Sequence, residues 1–112
     1  MTWLVDGMNV IGSRPDGWWR DRDGAVRRLV EELQELEDEV IVIFDGRPLE
    51  VEAGSVDVRF ASRSGRDAAD DDIARIAAEV PDATVVTSDA GLAARVENET
   101  IGAGAFRRRV LG

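Results

Sequence analysis

Apolar positions along this chain come in two kinds of block, short unbroken runs and stretches at helical spacing. Trp3-Leu4-Val5 is an unbroken run ended by Asp6-Gly7, which predicts a buried first strand followed by a turn. Residues 12–21 read as a loop. From Asp23 onward Val26, Leu29, Val30, Leu33 and Leu36 recur at helical spacing, so a helix capped by Asp23 is expected to end near Asp38. Residues 40–44 form a β-branched run closed by Asp45-Gly46, the pattern of a strand buried on both faces. Val56, Val58 and Phe60 alternate with polar residues and predict a third strand, followed by a loop over residues 62–65. Ala69, Ile73, Ile76 and Ala77 share one helical face and Pro81 stops the chain, which places a helix at residues 68–79. Residues 83–86 make a fourth strand, and Asp89 caps a helix running through Leu92, Ala93 and Val96. Thr100-Ile101 reads as an edge strand, and residues 103–111 as a terminal helix with Phe106 and Val110 inward.

Strands alternating with helices predict a mainly parallel sheet of four to five strands, covered by helices on both faces and joined by right-handed crossovers. The 112 residues suffice for one core and not two, so residues 1–112 are expected to form one domain. No stretch resembles a signal peptide or approaches membrane-spanning length, which predicts a cytoplasmic protein with no membrane association.

Composition removes whole classes of chemistry. The chain has no His, Cys or Tyr, and all 14 of its basic residues are arginine. Ser-His-Asp and Cys-His catalysis, Schiff bases, the Walker A lysine and the usual zinc sites each lack a required group. Carboxylates, hydroxyls, amides and guanidinium groups remain. Hard oxygen ligands suit Mg²⁺ or Mn²⁺, so catalysis here is expected to run through a metal held by Asp and Glu.

Three apolar runs end at or near an aspartate: Asp6, Asp45 and Asp89. In a parallel sheet these ends share one edge, and the first turn of the helix carrying Asp70, Asp71 and Asp72 lies along it. Successive helical residues diverge by about 100°, so Asp70 and Asp71 are expected to face the cleft and Asp72 the solvent. Each aspartate also has a structural explanation, as an N-cap or as a complement to a helix dipole. That explanation is preferred for Asp67 and Asp72 and is balanced against metal binding for Asp45. Carboxylates gathered together repel one another unless a cation compensates them, which makes Asp6, Asp70 and Asp89, with Asp45, the expected metal-binding set. Asn9, three residues beyond Asp6, can hydrogen-bond a phosphate, position a water or orient Asp6.

The ordered blocks V-D-G-M-N-V-I-G (5–12), V-I-F-D-G (42–46), D-A-A-D-D-D-I (67–73), V-T-S-D (86–89) and G-A-G-A-F (102–106) resemble the NYN domains of the PIN-like nucleases. The likeness is greatest to the bacterial YacP-like branch and extends over nearly the whole chain. It implies a three-layer α/β/α Rossmann-like (PIN-like) domain with Mg²⁺- or Mn²⁺-dependent ribonuclease activity. The acidic site maps onto Asp6, Asp70, Asp71 and Asp89, with Asn9, Asp45 and Ser88 as supporting members. RNA is then the expected partner, and a homodimer or a helper protein stays open because the formal net charge is −9.

Arg63 and Arg66, in the loop before the acidic helix, are expected to clamp backbone phosphates, with residues 107–109 as a second contact. Of Trp18 and Trp19, one is expected to pack against the core and at most one to stack on bases. The rival reading is a non-catalytic RNA-binding or protein-interaction module that keeps the PIN-like fold. Aspartyl phosphorylation of the receiver or haloacid-dehalogenase kind is disfavoured, since both normally need a lysine near the phosphate.

Overall fold

The structure is a computed structural model that describes residues 1–61 and 68–112. Five strands, β1 (Thr2–Asp6), β2 (Glu39–Phe44), β3 (Asp57–Phe60), β4 (Thr84–Val86) and β5 (Thr100–Ile101), form one all-parallel sheet in the order β3-β2-β1-β4-β5. Helices α1 (Gly7–Gly12), α2 (Arg22–Gln34), α3 (Ala68–Glu79), α4 (Ala90–Arg95) and α5 (Ala103–Arg109) connect or follow the strands, and a 3₁₀ turn occupies Trp18–Arg20. Among the described residues no helix is long and apolar enough to cross a membrane.

Alternation along the central strands divides the core in two. Trp3 and Val5 of β1, Val40, Val42 and Phe44 of β2 and Val86 of β4 pack against Val10, Val26, Leu29, Leu33 and Phe106 of α1, α2 and α5. Leu4, Ile41, Ile43 and Val85 point the other way, onto Ala69, Ile73, Ile76 and Leu92 of α3 and α4. Helices therefore cover both faces, which is why β1 and β2 read as continuous apolar runs. Trp3 satisfies its indole N–H on Asp38 Oδ2 at 3.0 Å and meets the Phe106 ring edge-on at 5.1 Å.

Four expectations are corrected. The chain after Asp6 continues directly into α1 where a tight turn was expected. The cap of α2 is Asp21, whose Oδ1 accepts from the Gly24 N–H at 3.0 Å, and not Asp23, which pairs with Arg22 and Arg47. That helix stops at Gln34, and Leu36 still reaches the core from beyond it. Asp72 turns inward: it is only 9 % exposed, in the same stripe as Ala69, Ile73 and Ile76. Residue 72 lies three positions after Ala69 and four before Ile76, so helical geometry keeps it on the covered face. There it pairs with Arg75 at 3.5 Å. It also helps hold Arg59 of β3 in its charged form, an effect due first to the hydrogen bond between Arg59 and Asp57.

Candidate active site at the carboxyl edge of the sheet

The sheet runs from β1 to β2 and β3 on one side and to β4 and β5 on the other. Connections therefore diverge between β1 and β4, and ligands of such sheets bind beyond the carboxyl ends of the strands at this switch point. Asp6 ends β1 there, with Val5 beside Val86 of β4. One step further along the register, Thr87 Oγ1 donates to Asp6 Oδ2 at 2.9 Å. Asp6 is 5 % exposed. Burial pushes its carboxyl from 3.8 up to about 6, opposed by the Thr87 hydrogen bond and assisted by the charges of Asp70 and Asp45.

The same edge is tied together by side chains acting on backbone. Asn9 Oδ1, on α1, accepts the Ser88 N–H at 2.7 Å, and Ser88 Oγ accepts the Ala103 N–H of α5 at 2.8 Å. Thr87 Oγ1 accepts the Asp89 N–H at 3.1 Å while donating to Asp6. Asp89 Oδ1 caps α4 through the N–H groups of Gly91 and Leu92 at 2.8 and 3.1 Å. Asp45 Oδ1 accepts the Ala69 N–H at 3.2 Å, satisfying a donor of the first turn of α3. Arg22 donates to the Asp45 carbonyl oxygen, fixing the end of β2 to the start of α2.

The Asn9 backbone N–H also bonds to the Asp6 carboxyl, so Asp6, Asn9, Thr87, Ser88 and Asp89 are joined by one set of hydrogen bonds, with Asp45 and Asp70 near enough for their charges to act on Asp6. Asp71 pairs with Arg95 of α4 at 2.9 Å. Arg107 is bound to Ser13, through the hydroxyl at 3.1 Å and the carbonyl oxygen at 3.4 Å, and so braces α5 on α1. Arg63, Arg66 and Asp67 lie outside the described residues. Among the described residues no group of three or more Asp or Glu side chains stands close enough together to hold a metal ion. The donors around Asp6 are oxygens all the same, the chemistry that suits Mg²⁺ or Mn²⁺.

Thr87 is the site residue that pattern reading missed. A hydroxyl just past a strand looks like turn composition, and only the register of β4 against β1 brings it opposite Asp6. Gly7 is the second. A Cβ there would overlap the buried Phe44 ring and come within 3.1 Å of the Ile43 carbonyl oxygen, so α1 can leave β1 this closely beside β2 only with glycine.

No protein-family model matches the chain, and a search of curated proteins finds no match. Among solved structures, the fold is similar to that of Rae1 (YacP) from Bacillus subtilis, with a TM-score of 0.80 and 24 % sequence identity over 97 % of this chain and 74 % of that one. The all-parallel five-stranded α/β fold is therefore shared with a YacP protein.

Proposed function

We propose that this chain is a metal-dependent ribonuclease that hydrolyses RNA phosphodiester bonds at the carboxyl edge of β1 and β4, with Mg²⁺ or Mn²⁺ as cofactor. The observation carrying this reading is the state of Asp6, a buried carboxyl raised to about 6 with the charges of Asp70 and Asp45 pressing the same way. Like charges gathered around a buried acid at a switch point are the arrangement that a divalent cation relieves. The motif resemblance and the fold shared with Rae1 (YacP) point in the same direction.

Asp6 and Asp70 are the residues that would hold the cation, with Asp45 and Asp89 contributing directly or through water. A hydrated Mg²⁺ is commonly bound through only one or two carboxylates, so a tight trio is not required. When bound, the cation supplies positive charge to the scissile phosphate and an acidified water at neutral pH. Thr87 fixes the orientation of Asp6. Asn9 commits its carbonyl end to the Ser88 N–H, so its NH₂ end is the one with a donor to offer a phosphate oxygen. Asp71 serves this reading from the rim, where it joins α3 to α4 through Arg95. Arg63 and Arg66 are proposed as contacts to the RNA backbone.

The test is cleavage of RNA by the purified chain in Mg²⁺ or Mn²⁺, in chelator, and by Asp6→Asn and Asp70→Asn variants. Metal-dependent cleavage leaving 5′-phosphate ends, lost in both variants, is expected. Products ending in 2′,3′-cyclic phosphate, or cleavage that persists in chelator, would refute the mechanism. That no trio of carboxylates is assembled among the described residues favours, as the second reading, a non-catalytic RNA-binding module. Binding without cleavage at any metal concentration would select it.

A further inference from the structure

β3 is an outer strand of the sheet, and its side away from β2 meets no other strand among the described residues. The Ala61 N–H donates to the Phe44 carbonyl oxygen of β2 at 2.9 Å, and backbone groups alternate in direction along a strand. Asp57, Arg59 and Ala61 therefore turn their N–H and carbonyl groups to β2, whereas Val58 and Phe60 turn theirs outward. The Val56 N–H donates to the Ala53 carbonyl oxygen at 2.9 Å, which leaves the Val56 carbonyl on the outward side.

Side chains alternate as well. Val58 and Phe60 are half-buried against the cluster that holds Phe44, with the Phe60 and Phe44 rings 5.6 Å apart. Asp57 and Arg59 stand exposed on the opposite face, where Arg59 donates to Asp57 at 3.1 and 2.8 Å. An open strand edge is a template for pairing with another strand, and charged side chains commonly blunt it. Charges of one sign would repel a second copy. Here an acid and a base stand two residues apart, so the edge is complementary to itself.

We propose that β3 is a self-association edge: a second copy of this chain pairs its own β3 antiparallel to the first, about a twofold axis through Val58, making one continuous sheet. In that register Asp57 of each copy stands opposite Arg59 of the other at a non-hydrogen-bonded pair, the closer of the two antiparallel spacings. Val58 faces Val58 of the second copy and exchanges both backbone hydrogen bonds with it. Each Phe60 N–H meets the outward carbonyl of Val56 across the axis. Charge selects this register. Moving the axis to residue 59 would also match the outward groups, but it would set Arg59 against Arg59, and like charges directly opposite are destabilising. The pairing joins Val58 to Val58 and Phe60 to Val56, covering apolar side chains that one copy leaves half in solvent. A strand of four residues offers a small interface, so the dimer is a weak one.

The experiment is sedimentation velocity of the parent chain up to about 1 mM, the range in which small transient interfaces form, with hydrogen exchange measured at low and high concentration. A monomer–dimer equilibrium is expected, and exchange at the Val58 and Phe60 amides should slow as the dimer fills. Arg59→Asp sets carboxylates opposite one another and should weaken association by about tenfold or more. Asp57→Arg combined with Arg59→Asp exchanges the two signs and should restore it to within about threefold of the parent. Val58→Pro removes an outward donor without touching the ladder to β2, a change that edge strands accept, and should leave a folded monomer. Circular dichroism checks that each variant is folded. A parent that stays monomeric throughout would overturn the proposal. So would a dimer that Arg59→Asp or Val58→Pro leaves intact, or one that the folded double variant fails to restore. None of these outcomes bears on the ribonuclease reading, which cleavage assays decide separately.

Discussion

The Thr87 hydroxyl donates to Asp6 Oδ2 at 2.9 Å across 81 residues of chain, and Thr87 Oγ1 accepts the Asp89 N–H at 3.1 Å. This hydroxyl therefore joins the end of β1 to the entry of α4. Thr87→Val preserves shape and removes the donor. A hydrogen bond to a charged acceptor contributes about 1.5–3 kcal/mol, and its loss disfavours the ionised form. The variant should be less stable at pH 7 and its Asp6 should titrate above 6. Carboxyl NMR titration checks the second point, and an unshifted Asp6 would contradict it.

Asp6 itself weakens the fold at neutral pH. Its folded carboxyl titrates near 6 against an ordinary 3.8, so between those values the native state binds the proton more tightly than the unfolded state. Stability contributed by this group is present below about pH 4 and is lost as pH rises through 6. The whole effect is about 3 kcal/mol in the metal-free protein. Asp6→Asn keeps an acceptor for Thr87 without the charge. It should melt several degrees above the parent at pH 7.5 and show less advantage at pH 4.5, while cleaving no RNA. Equal melting temperatures at pH 7.5 without divalent cation would count against this account.

Gly7→Ala should destabilise the protein by about 1–3 kcal/mol, the usual result of adding a methyl group to a filled core. The overlap is with the fully buried Phe44 ring and the Ile43 backbone, neither of which has room to move. Chemical denaturation measures it, and a variant as stable as the parent would show that α1 can shift away from β2.

Asn9→Ala removes the acceptor for the Ser88 N–H, whereas Asn9→Asp retains one. Hydrogen exchange at the Ser88 amide should quicken by about tenfold in the first, in line with a hydrogen bond worth about 1 kcal/mol or somewhat more. Exchange should be little changed in the second. Equal protection in both would mean that the Ser88 amide is held by something other than this side chain.

Arg95→Ala breaks the pair with Asp71, but Arg95 is substantially exposed and such pairs contribute about 0–1 kcal/mol. The melting temperature should barely move. A loss of several degrees would show that the α3–α4 link carries structural weight.

Much of this protein was legible in its sequence. Runs such as 40–44 announced strands covered on both faces, and the periodicity of 68–79 placed α3 at its observed bounds. Asp89 as the cap of α4 followed from side-chain chemistry that acts over three residues. Such features are local, so neighbouring residues suffice to specify them. The aspartates at strand ends could be named for the same reason, because parallel strands must bring their carboxyl ends to one edge.

What local pattern could not decide was which atoms meet. Thr87 became a partner of Asp6 only through the register of β4 on β1. Asp72 turned inward because α3 presses its whole 69–72–73–76 stripe onto the sheet. Asp45 came to hold the backbone of α3, and Asp6 came to feel the charges of Asp70 and Asp45, only once the strands stood side by side. The sequence by itself determined the elements, their parallel order of chemistry and the oxygen-only donor set. Tertiary structure alone decided burial and charge proximity, because both depend on residues tens of positions apart arriving within a few ångströms of one another.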